Sequence, residues 1–222
     1  MNRRSFLSAS LTSTAVSAPL LGKDRNLQAG GNVKSGTKVV WQNGKSYWPI
    51  CLDTATLDKG IGLEDKLRLA AEAGFDCVEP WDRELDQYEK QGGNLKDIKS
   101  LVADLGLYIP SVIGLWNSMD ASEESFKSRL DEHRNRLRMV SAIGSRKVQV
   151  IPNMKLKDSF DYNVASWCYR QILEMAIEDY GMEGAGIVFL NFFSPLSSIA
   201  DATRVAFGAD HKKAQIIPDT FH

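Results

Sequence analysis

The chain has 222 residues, 43% hydrophobic and 25% charged, enough to bury one sizeable core. Its formal net charge is −1 with no long run of either sign, which excludes the electrostatic footprint of a nucleic-acid binder or of a protein drawn to an acidic surface. Cys51, Cys77 and Cys168 stand in apolar segments without metal-knuckle spacing, and their odd number rules out a full disulfide framework. They read as small buried hydrophobes; a disulfide between two of them stays open if the compartment is oxidising.

The N-terminus, Met1-Asn2-Arg3-Arg4-Ser5-Phe6-Leu7, leads into a mildly apolar Ser/Thr/Ala-rich stretch through Leu21. Paired arginines ahead of Phe-Leu resemble a twin-arginine export signal, which predicts a periplasmic or other extracytoplasmic destination. The stretch is too short and too polar for a stable membrane span. Cleavage fits after Ala18, where Pro19 impedes it, or after Ala29. Residues 1–37 are read as signal and flexible leader, and 38–222 as the folded domain.

From Tyr47 onward a helical stripe, a glycine and a short apolar strand recur. Tyr47 to Leu52 is the first predicted strand. Leu63, Leu67, Ala70 and Ala71 share a helix face, and Gly74 precedes Phe75-Asp76-Cys77-Val78-Glu79. Leu95, Ile98, Leu101, Val102 and Leu105 form the next stripe, with Gly106 before Leu107 to Ile113. Ser122 caps a helix whose stripe is Phe126, Leu130, Leu137 and Val140; His133 falls on that stripe as a packing histidine, and Arg134, Arg136 and Arg138 read as a solvated face. Gly144 ends this helix before Lys147 to Ile151. Val164, Cys168, Ile172 and Met175 mark another, closed by Gly181 before Ile187 to Leu190, and a last helix over 197–207 leads into Ala214 to Ile217. Glycine suits each junction because the residue after a helix often turns left-handed.

Six strands alternating with five helices predict an α/β fold with a parallel sheet and right-handed crossovers. The competing architectures are an open doubly wound sheet and a (β/α)8 barrel. No glycine-rich phosphate loop follows the first strand, where Cys51-Leu52-Asp53-Thr54 stands, so the dinucleotide-binding version is disfavoured. Asp53, Glu79 with Trp81, Trp116 with Asn117, Asn153, Asn191 and Asp219 recur just past strand ends. In a barrel those positions gather on one rim. The expectation is an incomplete barrel, six strands of eight.

Three segments carry a resemblance: Gly74 to Asp82, Gly186 to Pro195, and Pro218-Asp219-Thr220-Phe221-His222. Over Tyr47 to His222 the chain resembles the xylose isomerase-like TIM-barrel superfamily of sugar (phosphate) isomerases and epimerases, which includes the endonuclease IV type of metal hydrolase. The resemblance implies a divalent ion, Mn²⁺, Mg²⁺ or Co²⁺, held mainly by carboxylates, with proton transfer through an enediolate. It implies Asp219 as a metal ligand and His222 as a substrate contact. At the strand-five position it implies a glutamate, where Asn191 stands; an amide oxygen coordinates weakly and cannot take a catalytic proton. The family's strand-seven and strand-eight ligands have no counterpart here, and no catalytic residue is assigned.

Glu79 reads either as a contact to sugar hydroxyls or as a salt-bridge partner of a neighbouring loop. Trp81 and Trp116 read as rim packing or as flat faces for a sugar, and Asp53 as a helix-entry cap or a rim acid. The expected activity is a metal-dependent sugar isomerase or epimerase, inactive as this fragment, taking a small-molecule carbohydrate and no nucleic acid, with homo-oligomerisation left open. The alternatives are a carbohydrate-binding barrel that has lost its metal site and, more weakly, a phosphodiester hydrolase of the endonuclease branch, for which the histidines are too few.

Overall fold

The computed structural model describes residues 41, 46–156, 158–191 and 194–222. The expected leader, residues 1–37, lies outside them. The described chain runs β1 (Cys51–Asp53), α1 (Leu63–Glu72), β2 (Cys77–Glu79), α2 (Asp82–Lys90), α3 (Leu95–Asp104), an extended segment 108–113, α4 (Glu123–Lys127), α5 (Leu130–Ala142), β3 (Lys147–Val150), α6 (Tyr162–Glu178), β4 (Gly184–Ile187), α7 (Ile199–Gly208) and β5 (Gln215–Ile216). Every strand pairing is parallel and joins neighbours in sequence: β1 with β2, β3 with β4, β4 with β5. The segment 108–113 closes the gap through the bridges Cys77 to Tyr108, Trp81 to Ile113 and Val112 to Val148. Six parallel staves in sequence order are those of an unclosed TIM barrel. Among the described residues no helix is long and apolar enough to cross a membrane.

The alternation of side chains along the staves separates two apolar layers. Val112, Val150 and Ile187 belong to the large core shared with the helices. Their immediate successors Ile113, Ile151 and Val188 form a second cluster with Trp81, Trp116, Met154, Leu190 and Ile217. That second layer lies on the opposite face of the staves, toward their C-terminal ends.

The glycine junctions hold: Gly74 and Gly106 have φ of 82° and 71°, the left-handed geometry that stops a helix without a Cβ penalty. Three expectations change. Among the described residues seven α-helices replace the expected five, because the polar stretch 82–90, with a single fully buried Leu85, forms α2 ahead of α3, and the stripe from Ser122 to Val140 breaks at Ser128 and Arg129 into α4 and α5. The fifth strand lies at Gly184–Ile187 rather than 187–190. Its Gly-Ala-Gly has poor strand propensity, yet a Cβ on Gly186 would come within 2.6 Å of the Ile217 side chain, so the neighbouring stave requires glycine there.

The third change is in segment 108–113, which makes bridges but no full strand. From Cys77 to Trp81 is four steps, while the paired Tyr108 to Ile113 is five. One extra residue makes a bulge, and Pro110 within it has no N–H to give a ladder.

Candidate functional site

At the C-terminal end of β2 the Glu79 carboxylate is half-buried. Its Oε1 accepts from the Ser111 hydroxyl and, at 2.8 Å, from Gln149 Nε2. The bulge brings Ser111 to face it, and Gln149 stands across from it on β3. Burial raises the Glu79 pKa above the ordinary glutamate range; the two hydrogen bonds oppose this, and the charges of Asp53 and Asp219 reinforce it. Asp53, ending β1, and Asp219, just past β5, therefore lie within electrostatic reach of one carboxylate from three different staves.

Asp53 is both cap and rim acid: its Oδ1 accepts from Ala55 N and from Trp81 Nε1, each at 2.8 Å. The Trp81 and Trp116 rings stack at 5.8 Å with 22° between planes, and Arg83 lies 4.0 Å over the Trp81 ring. Trp116 sits between two residues in the left-handed region, Leu115 (φ 52°) and Asn117 (φ 59°). Asparagine tolerates that geometry, but leucine adopts it at a cost of about 1 kcal/mol, a strain of the kind that collects at ligand-facing loops. Arg136 of α5 and Arg129, the residue just before that helix, reach the carbonyls of Trp116 and Asn117, each at 3.5 Å. Arg136 also pairs with buried Asp82 at 3.1 Å, and Arg138 with Glu89. The expected solvated arginine face is therefore partly structural: two of its three members tie α5 to α2.

Asp219 is exposed; its Oδ1 accepts from Phe221 N at 2.9 Å, and its Oδ2 lies 3.7 Å from His222 Nε2. His222 turns inward: its side chain is 15% exposed, and Nδ1 is buried without a hydrogen-bond partner among the described residues. Asn191 occupies a half-buried turn after β4. Among the described residues it makes no hydrogen bond to Asp219 or His222. Asn153 caps the following turn through Lys155 N at 3.1 Å and donates to Asp120, a structural duty.

A hard divalent cation takes six or more oxygen donors. Asp219 and His222 form a pair, and Asn191 offers an amide, but among the described residues no group of three or more His, Cys, Asp or Glu could hold an ion. The described donors do not by themselves make a metal centre. Two crevices lie outside the mouth, one of about 300 Å³ between α2 and α5 flanking Trp116 and one of about 530 Å³ between α7 and β5; neither is lined by Glu79 or Asp219.

The sequence reading missed Ser111 and Gln149. Gln149 had a signal, a lone amide inside the valine-rich strand Val148-Gln149-Val150, since buried polar side chains demand partners. It also missed the Lys66–Glu84 pair. Lys66 Nζ donates to Glu84 Oε1 at 2.7 Å and to the Thr54 carbonyl at 3.0 Å, while Glu84 Oε2 accepts from Trp81 N at 2.9 Å and from the Thr54 hydroxyl. A lysine on a helix face gives no hint that it will be buried.

Parallel staves in sequence order with polar groups at their C-terminal ends define a TIM-barrel protein, a fold whose active sites are built at that end of the barrel. Residues 67–222 match the model of the xylose isomerase-like TIM barrel family, and the chain belongs to that family. Its fold is similar to a xylose isomerase-like TIM barrel/4-hydroxyphenylpyruvate dioxygenase fusion protein (22% identity, TM-score 0.70, covering 83% of this chain and 27% of that one). It is also similar to the IolI protein with a bound zinc atom (16%, 0.67, 79% and 64%) and to D-psicose 3-epimerase in the presence of D-fructose (16%, 0.65, 79% and 64%). The chain thus spans less than two thirds of each of these. No curated protein matches the chain.

Proposed function

We propose that the chain carries the carbohydrate-binding mouth of a sugar isomerase or epimerase. The observation that supports this most is the convergence of Glu79, Asp53 and Asp219 from three staves, with Asp53 hydrogen-bonded to Trp81 of the Trp81–Trp116 stack. Carboxylates and amides bind sugar hydroxyls, and flat indole rings pack on the C–H face of a pyranose or furanose. Glu79 Oε1 is taken by Ser111 and Gln149, which leaves its second oxygen for a hydroxyl. Burial favours the protonated carboxyl, so Glu79 is suited to hold a proton at that oxygen or give it up. His222, whose Nε2 lies 3.7 Å from Asp219 Oδ2, is the substrate contact of this reading.

In this reading Asp219 supplies one oxygen to a divalent cation (Mn²⁺, Mg²⁺ or Co²⁺), with Asn191 a weak second. When bound, such an ion polarises adjacent carbonyl and hydroxyl oxygens. With so few donors, these residues hold the ion weakly and do not turn over sugar by themselves. The paired arginines at the N-terminus support an exported, extracytoplasmic protein.

A carbohydrate-binding barrel without metal chemistry is the second reading, favoured by Asn191, whose amide neither adds charge nor accepts a proton. Titration of Mn²⁺ followed by electron paramagnetic resonance separates the two. The first reading predicts weak binding that is lost in Asp219→Asn and tightened roughly tenfold in Asn191→Glu, because affinity at oxygen sites follows ligand charge. Mn²⁺ binding unchanged in both variants, or absent throughout, removes the metal from the account and leaves the binding-only barrel.

A further inference from the structure

Cys51 and Cys77 are register partners on the adjacent parallel strands β1 and β2. Partners in a parallel pair project from the same face, and neighbouring strands lie about 4.8 Å apart. That spacing falls inside the Cα separation of about 4.4–6.8 Å that a disulfide spans. The two thiols are coupled: the neighbouring Cys77 pushes the Cys51 thiol up, while Cys51 and the Tyr108 hydroxyl hold the Cys77 thiol down. The pair is asymmetric: Cys51 is exposed, whereas Cys77 is 1% exposed. Cys168 is fully buried on α6, in the core that α6 shares with the other helices.

We propose that Cys51 and Cys77 are a redox-active dithiol that closes to an intramolecular disulfide when the protein meets a low-molecular-weight disulfide. The exposed Cys51 passes its proton to Cys77 within the pair and then attacks the small disulfide, forming a mixed disulfide and expelling one small thiolate. Cys77 then attacks the Cys51 sulfur, forming the Cys51–Cys77 bond and expelling the second thiolate. Two protein thiols are oxidised, one small disulfide is reduced to two thiols, and the two protons released are taken up by those thiolates. The buried neighbour acts as the resolving thiol, so the mixed disulfide does not accumulate. Asp53 and Glu79 lie two residues further along on the same faces of the same strands, so the bond staples the two staves directly below the mouth. The proposal is independent of the proposed carbohydrate activity.

The test incubates the native full chain with oxidised glutathione, blocks remaining thiols with a maleimide and maps the digest by mass spectrometry. The expected result is a cross-linked Cys51–Cys77 peptide, with Cys168 labelled only after unfolding and the bond reversed by dithiothreitol. In Cys77→Ser the reaction is expected to stop at a stable glutathione adduct on Cys51. A wild type that accumulates the Cys51 adduct, stays fully reduced, or links either residue to Cys168 or to a second chain overturns the proposal. The wild-type map decides the matter even if the variant does not fold.

Discussion

Replacing Lys66 with methionine is expected to destabilise the fold by about 3–5 kcal/mol, the usual cost of leaving one member of a buried ion pair alone. The Lys66 and Glu84 side chains are 5% and 15% exposed, and the ammonium is 2.7 Å from the carboxylate. Methionine replaces the stem's apolar contacts but leaves Glu84 without its cation and the Thr54 carbonyl without its donor. Glu84→Gln in the Lys66→Met background removes the stranded charge while an amide oxygen still accepts from Trp81 N. Urea denaturation of the two singles and the double is expected to show most of the loss recovered in the double. Equal loss in the Lys66→Met single and the double would mean that the lysine acts through packing. The same pair anchors the backbone of Trp81, whose ring is tied to Asp53, so the single variant also loosens the rim.

Acid is expected to weaken the fold through His133. The ring is fully buried, stacks on Phe126 at 5.2 Å, and has no hydrogen-bond partner for either nitrogen among the described residues. Burial drives its pKa down from 6.5 to about 4, and the nearby Arg129 and Arg136 push the same way against Glu132 and Asp120. The unfolded chain therefore takes up a proton as pH falls below 6.5, while the folded chain does not until about 4. Stability is lost across that window, by roughly 3 kcal/mol at its lower end. His133→Leu fills much the same space without polar atoms. It is expected to abolish this part of the acid slope and to be more stable near neutrality by about 1–3 kcal/mol, since it removes unsatisfied ring nitrogens. Urea midpoints at several pH values for the two proteins check both statements; parallel pH profiles would contradict them.

What the sequence made legible was local. The stripe Leu63, Leu67, Ala70 and the glycine after it declare a helix and its end within a dozen residues, and repetition of that unit implied parallel staves. His133 on an apolar stripe was readable as a packing residue because helix periodicity alone decides it. The staves were harder, being two to four residues long. Gly184-Ala185-Gly186 is strand only because Gln215 and Ile217 need the space, which is a tertiary fact. The bulge at Pro110 escaped for the same reason, and with it the delivery of Ser111 to Glu79. Glu79 and Asp219 were found from their places at strand ends. Their mutual approach depends on the curvature of six staves, and no single segment encodes that.

The most direct measurement is a calorimetric titration of a ketohexose into the wild type and into Glu79→Ala, with circular dichroism confirming that both are folded. Saturable binding by the wild type, weakened roughly ten- to hundredfold when the carboxyl group is removed, is the predicted result, since a buried hydroxyl left without its partner costs about 1–3 kcal/mol. A wild type that binds no ketohexose, or a variant that binds it equally well, would contradict the assignment of a carbohydrate site to this mouth.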